Sequence, residues 1–206
     1  MALALKIAAR EGLSALTIGR LAKELQMSKS GLFAHFRSKQ ALELATIEKA
    51  RDVFADSVLR PAPTNGRGIE HLWKLCDLWL LHVERHVFSG AYFFTGAIFE
   101  YANRPEPVAK AINHATREWL DTLATAVADA QEQREMVRDM RTERIALELN
   151  GRLLGAHCAY LLEDRAFFRE TRALLLARLR QLATNAVPAS AFESLSAWKS
   201  YLEKSN

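Results

Sequence analysis

The sequence predicts an all-α protein, and three observations predict it. Glycine and proline number only nine and five in 206 residues. Leu, Ala, Arg and Glu, all good or fair helix formers, dominate, and no run alternates Val, Ile and Thr as a strand does. Apolar residues recur instead at helical spacing between short breaker clusters. Half the residues are hydrophobic and a quarter are charged, the composition of a folded chain with one ample core or two modest ones.

Each element follows from its own residues. Residues 2–11 form a short helix with Ala4, Ile7 and Ala8 on one face, and Gly12 ends it. Thr17 is an N-cap, and Ile18, Leu21, Ala22 and Leu25 follow at i, i+3, i+4 and i+7. Gln26-Met27 interrupts this helix. Ser28 caps the next, with Leu32, Phe33 and Phe36 as its apolar contacts. Ser38 caps a longer helix running toward Leu59. Residues 61–68, with two prolines and two glycines, break the chain most clearly. Ile69 to Val87 is helical and aromatic-rich, and Ser89 to Tyr101 is unusually apolar. After a break at 103–107, helices are expected from Val108 to about Met136, from Thr142 to Leu162 and from Phe167 to Ala183. A short tail helix follows Val187-Pro188 toward Tyr201.

Composition also excludes classes. Cys76 and Cys158 are too few for a disulfide framework or a cysteine-built zinc site, and they fit a reducing cytosol. The start MALALKIAAREG has Lys6 inside its apolar run, unlike a signal peptide. The longest stretch without a formal charge, His86 to Phe99, falls short of the roughly 20 residues that a membrane span needs. A cytoplasmic protein is expected. No phosphate-binding loop, nucleophile elbow or dinucleotide fingerprint occurs, and no histidine has Glu three residues before it as in di-iron bundles. No enzymatic activity and no cofactor are expected.

The net charge of +4 is concentrated. Residues 1–50 carry eight basic and four acidic residues, and the remaining chain is balanced. A basic surplus confined to one end suits a polyanionic partner. The same segment holds two short helices joined by a tight turn and followed by a third, the outline of a helix-turn-helix. In that motif the second helix enters the major groove of DNA. Here it runs from Ser28 to Phe36. Lys29 donates to guanine or phosphate, Ser30 and His35 donate or accept, and Gly31 and Ala34 permit close approach. Thr17 and Lys39 lie at the N-termini of the flanking helices, where free N–H groups attract phosphate. The pattern alone fits a helical hairpin with solvated charges equally well.

The residues from Thr17 to Leu42, TIGRLAKELQMSKSGLFAHFRSKQAL, closely resemble the DNA-binding domain of TetR-family (tetracycline-repressor-like) transcriptional regulators. The match runs from about Gly12 to Leu44. It includes the Thr cap, Leu-Ala in the helix that follows, Ser-Lys opening the reading helix, the aromatic pair near its end and Ser-Lys opening the next helix. The resemblance implies a DNA-binding domain over 1–45 and a ligand-binding and dimerisation domain over 46–206. It implies DNA contacts from Thr17, Ser28, Lys29, Ser30, Gly31, Phe33, His35 and Lys39. Three departures stand out. Gln26 occupies a turn position where the family usually has Gly, so a left-handed residue there is mildly strained. Phe33 and His35 stand where the family usually has Tyr. Phe33 removes a phosphate contact and leaves packing, and His35 replaces part of it. The chain also starts late, so the basic N-terminal arm that the family implies is short or missing.

The resemblance implies an effector pocket in the second domain. Aromatic residues are dense from Trp73 to Trp119, and organic-ligand pockets are mostly apolar with few polar anchors. The candidates are Trp79, His82, Phe93, Phe94, Trp119, Asn150 and His157, with His86, Thr95 and Asn113 as further polar groups; plain helix-bundle core is the commoner role of any one of the aromatics. His82 and His86 share a helical face that can hold zinc, but no third ligand is near in sequence and no metal is expected. Small residues Gly151, Gly155, Ala156 and Ala159, with Leu147, Leu154 and Leu161 and then Leu175, Leu179 and Leu182, suit either a homodimer interface through the helices near 142–162 and 167–183 or an intramolecular core. The expected protein is thus a repressor, released from a palindromic operator by a small-molecule effector. The alternative is a helical ligand-binding or scaffold protein with a weakened DNA-binding head.

Overall fold

The computed structural model describes residues 1–62, 68–85, 93–102, 107–163, 165–188 and 191–192. Its helices are α1 (Ala2–Glu11), α2 (Ile18–Glu24), α3 (Lys29–Phe36), α4 (Lys39–Phe54), α5 (Ile69–Glu84), α6 (Phe93–Tyr101), α7 (Val108–Glu132), α8 (Thr142–Leu161) and α9 (Arg165–Leu182). A 3₁₀ turn (Leu13–Ala15) precedes α2, and a π-helical turn (Ala55–Leu59) continues α4. Among the described residues the only extended pairing is an isolated antiparallel bridge between Met136 and Ala183. The all-α expectation therefore holds.

The chain divides into two compact units that do not follow sequence order. One comprises Met1–Ser57 and His82–Glu118, the other Val58–Leu81 and Trp119–Asn206.

In the first unit α1 buries Ala4, Leu5, Ile7 and Ala8. Gly12 ends it at φ +91°, a conformation that side-chain-bearing residues rarely adopt. The oxygens of Glu100 lie 3.1 Å from where a Cβ at Gly12 would sit, so glycine also leaves room for that carboxylate. Three hydroxyls open the next helices as the sequence predicts. Thr17 accepts from the Arg20 N–H at 3.1 Å, Ser28 from Gly31 at 3.1 Å and Ser38 from Ala41 at 3.0 Å.

In the second unit α8 and α9 pack together, with Ile145, Leu149 and Leu153 of α8 and Leu175, Leu179 and Leu182 of α9 buried. The α9 leucines are thus core rather than exposed interface, as are Ala156 and Ala159. Periodicity placed them on one face without saying which face is covered. Asp77 and Arg172 form a largely buried ion pair.

α7 stops four residues before the expected Met136. Glu135 explains the stop. Its carboxylate accepts the Ile69 N–H at 2.9 Å, and its carbonyl accepts the Thr184 N–H at 2.9 Å. These bonds tie the segment to α5 and to the end of α9, with Arg134 turning the chain at φ +62°. Of the expected tail helix only Ala191 and Phe192 are described, both helical; the rest of it, His86 and the Ser89–Tyr92 part of the apolar stretch lie outside the described residues.

Candidate nucleic-acid interface

α3 is held in an unusual way for a helix of a folded protein. Of its eight residues only Leu32 is buried. Ser28 caps its start and Arg37 closes its end in a left-handed conformation at φ +62°. The turn before it passes through Gln26 at φ +54°, the strained conformation expected from its sequence position. Met27 N–H, bonded to the Ala22 carbonyl at 2.9 Å, ties this turn back onto α2.

The anchoring leaves Lys29, Ser30, Gly31, Phe33, Ala34 and His35 exposed together. Gly31 has a local reason beyond close approach. A Cβ there would lie 3.0 Å from the Ser28 hydroxyl that caps its own N–H. His35 stacks edge-on against Phe36, with ring centroids 4.6 Å apart. Phe33 departs from the expected packing role: its side chain is 52% exposed. Leu32, the adjacent residue, takes the buried position. Outside α3, Glu11 pairs with Arg20, and the guanidinium bond holds the Glu11 carboxyl below its usual range.

Thr17 and Lys39 sit where the sequence places them, but both are engaged within the protein. The Thr17 hydroxyl caps α2. Lys39 Nζ donates to the Ser14 carbonyl at 2.6 Å and lies 3.6 Å from Glu43 Oε1. That same Glu43 oxygen accepts from the Tyr101 hydroxyl at 2.7 Å. Glu100, the neighbour of Tyr101, accepts the N–H groups of Leu13 and Ser14, both at 2.7 Å. A closed circuit thus runs Glu100–Ser14–Lys39–Glu43–Tyr101, joining α6 to the 3₁₀ turn and to the first turn of α4. Sequence reasoning did not single out this circuit. Its links span up to 86 residues, and no local pattern announces them.

The effector candidates fall into two groups. In the first unit, His82 Nδ1 lies 2.7 Å from the Ser57 hydroxyl, its ring packs edge-on to Phe54, and burial pushes its pKa down to about 4. Phe93 and Phe94 meet at 5.2 Å, and Phe93 lines a cleft of about 490 Å³ between α1 and α6, with Phe99 and Glu100 on the same wall. In the second unit, Trp119 Nε1 donates to the Asn150 side chain at 3.0 Å. Trp79 is fully buried with His157 edge-on at 6.5 Å, and burial pushes His157 down to about 4 as well. Thr95 is half-buried and Asn113 exposed. Among the described residues no three His, Cys, Asp or Glu side chains gather as a metal site. Nor is any helix there long and apolar enough to cross a membrane.

A capped helix-turn-helix with an exposed second helix defines a DNA-binding class of protein. The comparisons make the class specific. Residues 1–46 match the family model of bacterial regulatory proteins of the tetR family, and residues 68–175 match that of the tetracyclin repressor-like C-terminal domain. The chain belongs to the TetR family of transcriptional regulators. No curated protein matches it. A TetR transcriptional regulator from Chloroflexus aurantiacus superposes with a TM-score of 0.81 at 19% identity, over 88% of this chain and 92% of that one. A regulator from Saccharomonospora viridis, solved with choline, gives 0.72 at 21% identity, over 88% and 94%. AibR, solved with isovaleryl coenzyme A and operator DNA, gives 0.61 at 22%, over 75% and 84%.

Proposed function

We propose that this regulator is a homodimeric repressor that reads a palindromic operator through α3 and is released by a small-molecule effector. The exposed, end-anchored α3 carries the reading, since its free flank combines Lys29, Ser30 and His35 with the small Gly31 and Ala34. Residues 1–45 read DNA in the cytoplasm, and residues 46–206 bind effector and dimerise. Ser28 and Gly31 hold the start of α3 in shape. Thr17 and Lys39 steady the flanking helices at the phosphate backbone. The choline and isovaleryl coenzyme A complexes of its relatives support a small organic effector. Trp79, His82, Phe93, Phe94, Trp119, Asn150 and His157 are its candidate contacts.

The dimer reading rests on one face of α8. Leu147, Gly151, Leu154, Cys158 and Leu161 recur at helical spacing and are exposed or half-buried. A Cβ added at Gly151 or Gly155 meets nothing within 4 Å, so a second copy has room to approach closely. Phe167 and Leu174 add exposed apolar surface from α9. In this reading the effector acts through α6. Shifting α6 withdraws Glu100 and Tyr101 from the circuit that fixes Ser14 and Lys39, and the two reading heads lose their spacing.

The test is a titration of the protein against its own upstream intergenic DNA, with scrambled competitor and varied salt. Preferred binding that weakens steeply with salt is expected, because phosphate neutralisation drives affinity. Lys39→Ala weakens binding to all sequences. Lys29→Ala in addition relaxes specificity, by about 1–3 kcal/mol. Equal affinity for both DNAs would leave the alternative, a helical ligand-binding protein with a weakened head.

A further inference from the structure

We infer that Phe33 is a specificity-determining residue that reads the 5-methyl group of a thymine in the major groove. The inference rests on the operator-reading function proposed above. Phe33 lies four residues after Lys29 and three after Ser30, so the three share a face of α3. That face is otherwise polar, and Phe33 leaves half its surface on it. Leu32 takes the core position beside it, and half of Phe33 stays open to a partner.

The chemistry of the ring narrows its partner. A phenyl group has no donor for phosphate and no acceptor for a base amine. Its gain on binding comes from losing contact with water. Among the groups that base pairs display in the major groove, the thymine methyl is the apolar one. The charge of the surrounding segment draws this face toward a polyanion, and the ring then seeks the one apolar point that the polyanion offers. The small side chains at Gly31 and Ala34 leave it room to reach that point.

The experiment starts from duplexes selected by the full-length protein out of a random pool. Each thymine of the preferred half-site is then replaced by deoxyuridine, which removes the methyl and leaves base pairing intact. At one symmetry-related thymine the wild type should lose about four-fold in affinity per half-site, the value of one buried methyl. Phe33→Ala should bind thymine and deoxyuridine duplexes alike, and Phe33→Leu should keep part of the preference. Circular dichroism should show both variants folded, since the position is exposed. Equal deoxyuridine sensitivity in wild type and Phe33→Ala would overturn the inference. So would a uniform loss across selected and scrambled duplexes, which would place the ring against the sugar–phosphate backbone. Failure of the pool to yield any preferred sequence would instead remove the operator-reading function, and this inference with it.

Discussion

α3 and α5 are stabilised in opposite ways. α5 buries thirteen of its sixteen residues, including the polar Lys74, Asp77 and His82. α3 buries one of eight. The core helix is held by its flanks. The reading helix is held by its ends: a serine cap, two left-handed residues around it and a single leucine beneath. A helix that must offer its flanks to a partner cannot also use them for folding, so its anchoring moves to its termini.

The contrast predicts where substitutions hurt. Trp79→Ala in α5 empties a fully buried site and should cost about 3–5 kcal/mol, read as a drop in the urea midpoint. The comparison breaks if that loss is no larger than the loss of a cap. Next in size is a pH effect. His82 and His157 are held neutral, with folded pKa values of about 4 against 6.5 when exposed. The unfolded chain therefore takes up protons first as pH falls. Their contribution is complete above about pH 6.5 and is lost as pH drops toward 4, by on the order of 2–3 kcal/mol for each. Urea midpoints across that range should fall, and His82→Gln should flatten the slope.

The end-anchoring of α3 predicts smaller effects. Ser28→Ala should cost about 1 kcal/mol and should lower DNA affinity with it, measured by denaturation and gel shift on the same samples. Gln26→Gly should stabilise by up to about 1 kcal/mol, because glycine adopts the left-handed turn without strain. A destabilised Gln26→Gly variant would show that the glutamine side chain holds the turn by some other means.

Legibility in the sequence followed distance along the chain. Thr17, Ser28 and Ser38 were readable as caps because a cap needs only its own helix. The left-handed Gln26 follows from the family resemblance, since the family usually has glycine at that turn position. The Glu100 clamp on Leu13 and Ser14 was not readable, since folding alone brings those positions together. Apolar periodicity named a face of α9 but not its cover, so Leu175, Leu179 and Leu182 fit interface or core in the sequence, and the fold buries them. Aromatic density was ambiguous in the same way: Phe93 and Phe94 are buried, while Phe99, on the same helix, is 81% exposed. Phe33 looked like packing for the related reason that hydrophobicity does not say which of two adjacent residues points inward.

The placement of the tryptophans has a practical consequence. The first in the chain is Trp73, so the reading head contains none. Trp73, Trp79 and Trp119 are buried in the other unit, where Trp119 is bonded to Asn150 and Trp79 faces His157. Emission from these three therefore comes from the region that carries most of the effector candidates, and the reading head, without a tryptophan, adds none. The unlabelled protein can be screened for ligands by its own fluorescence, while operator binding needs a dye on the DNA.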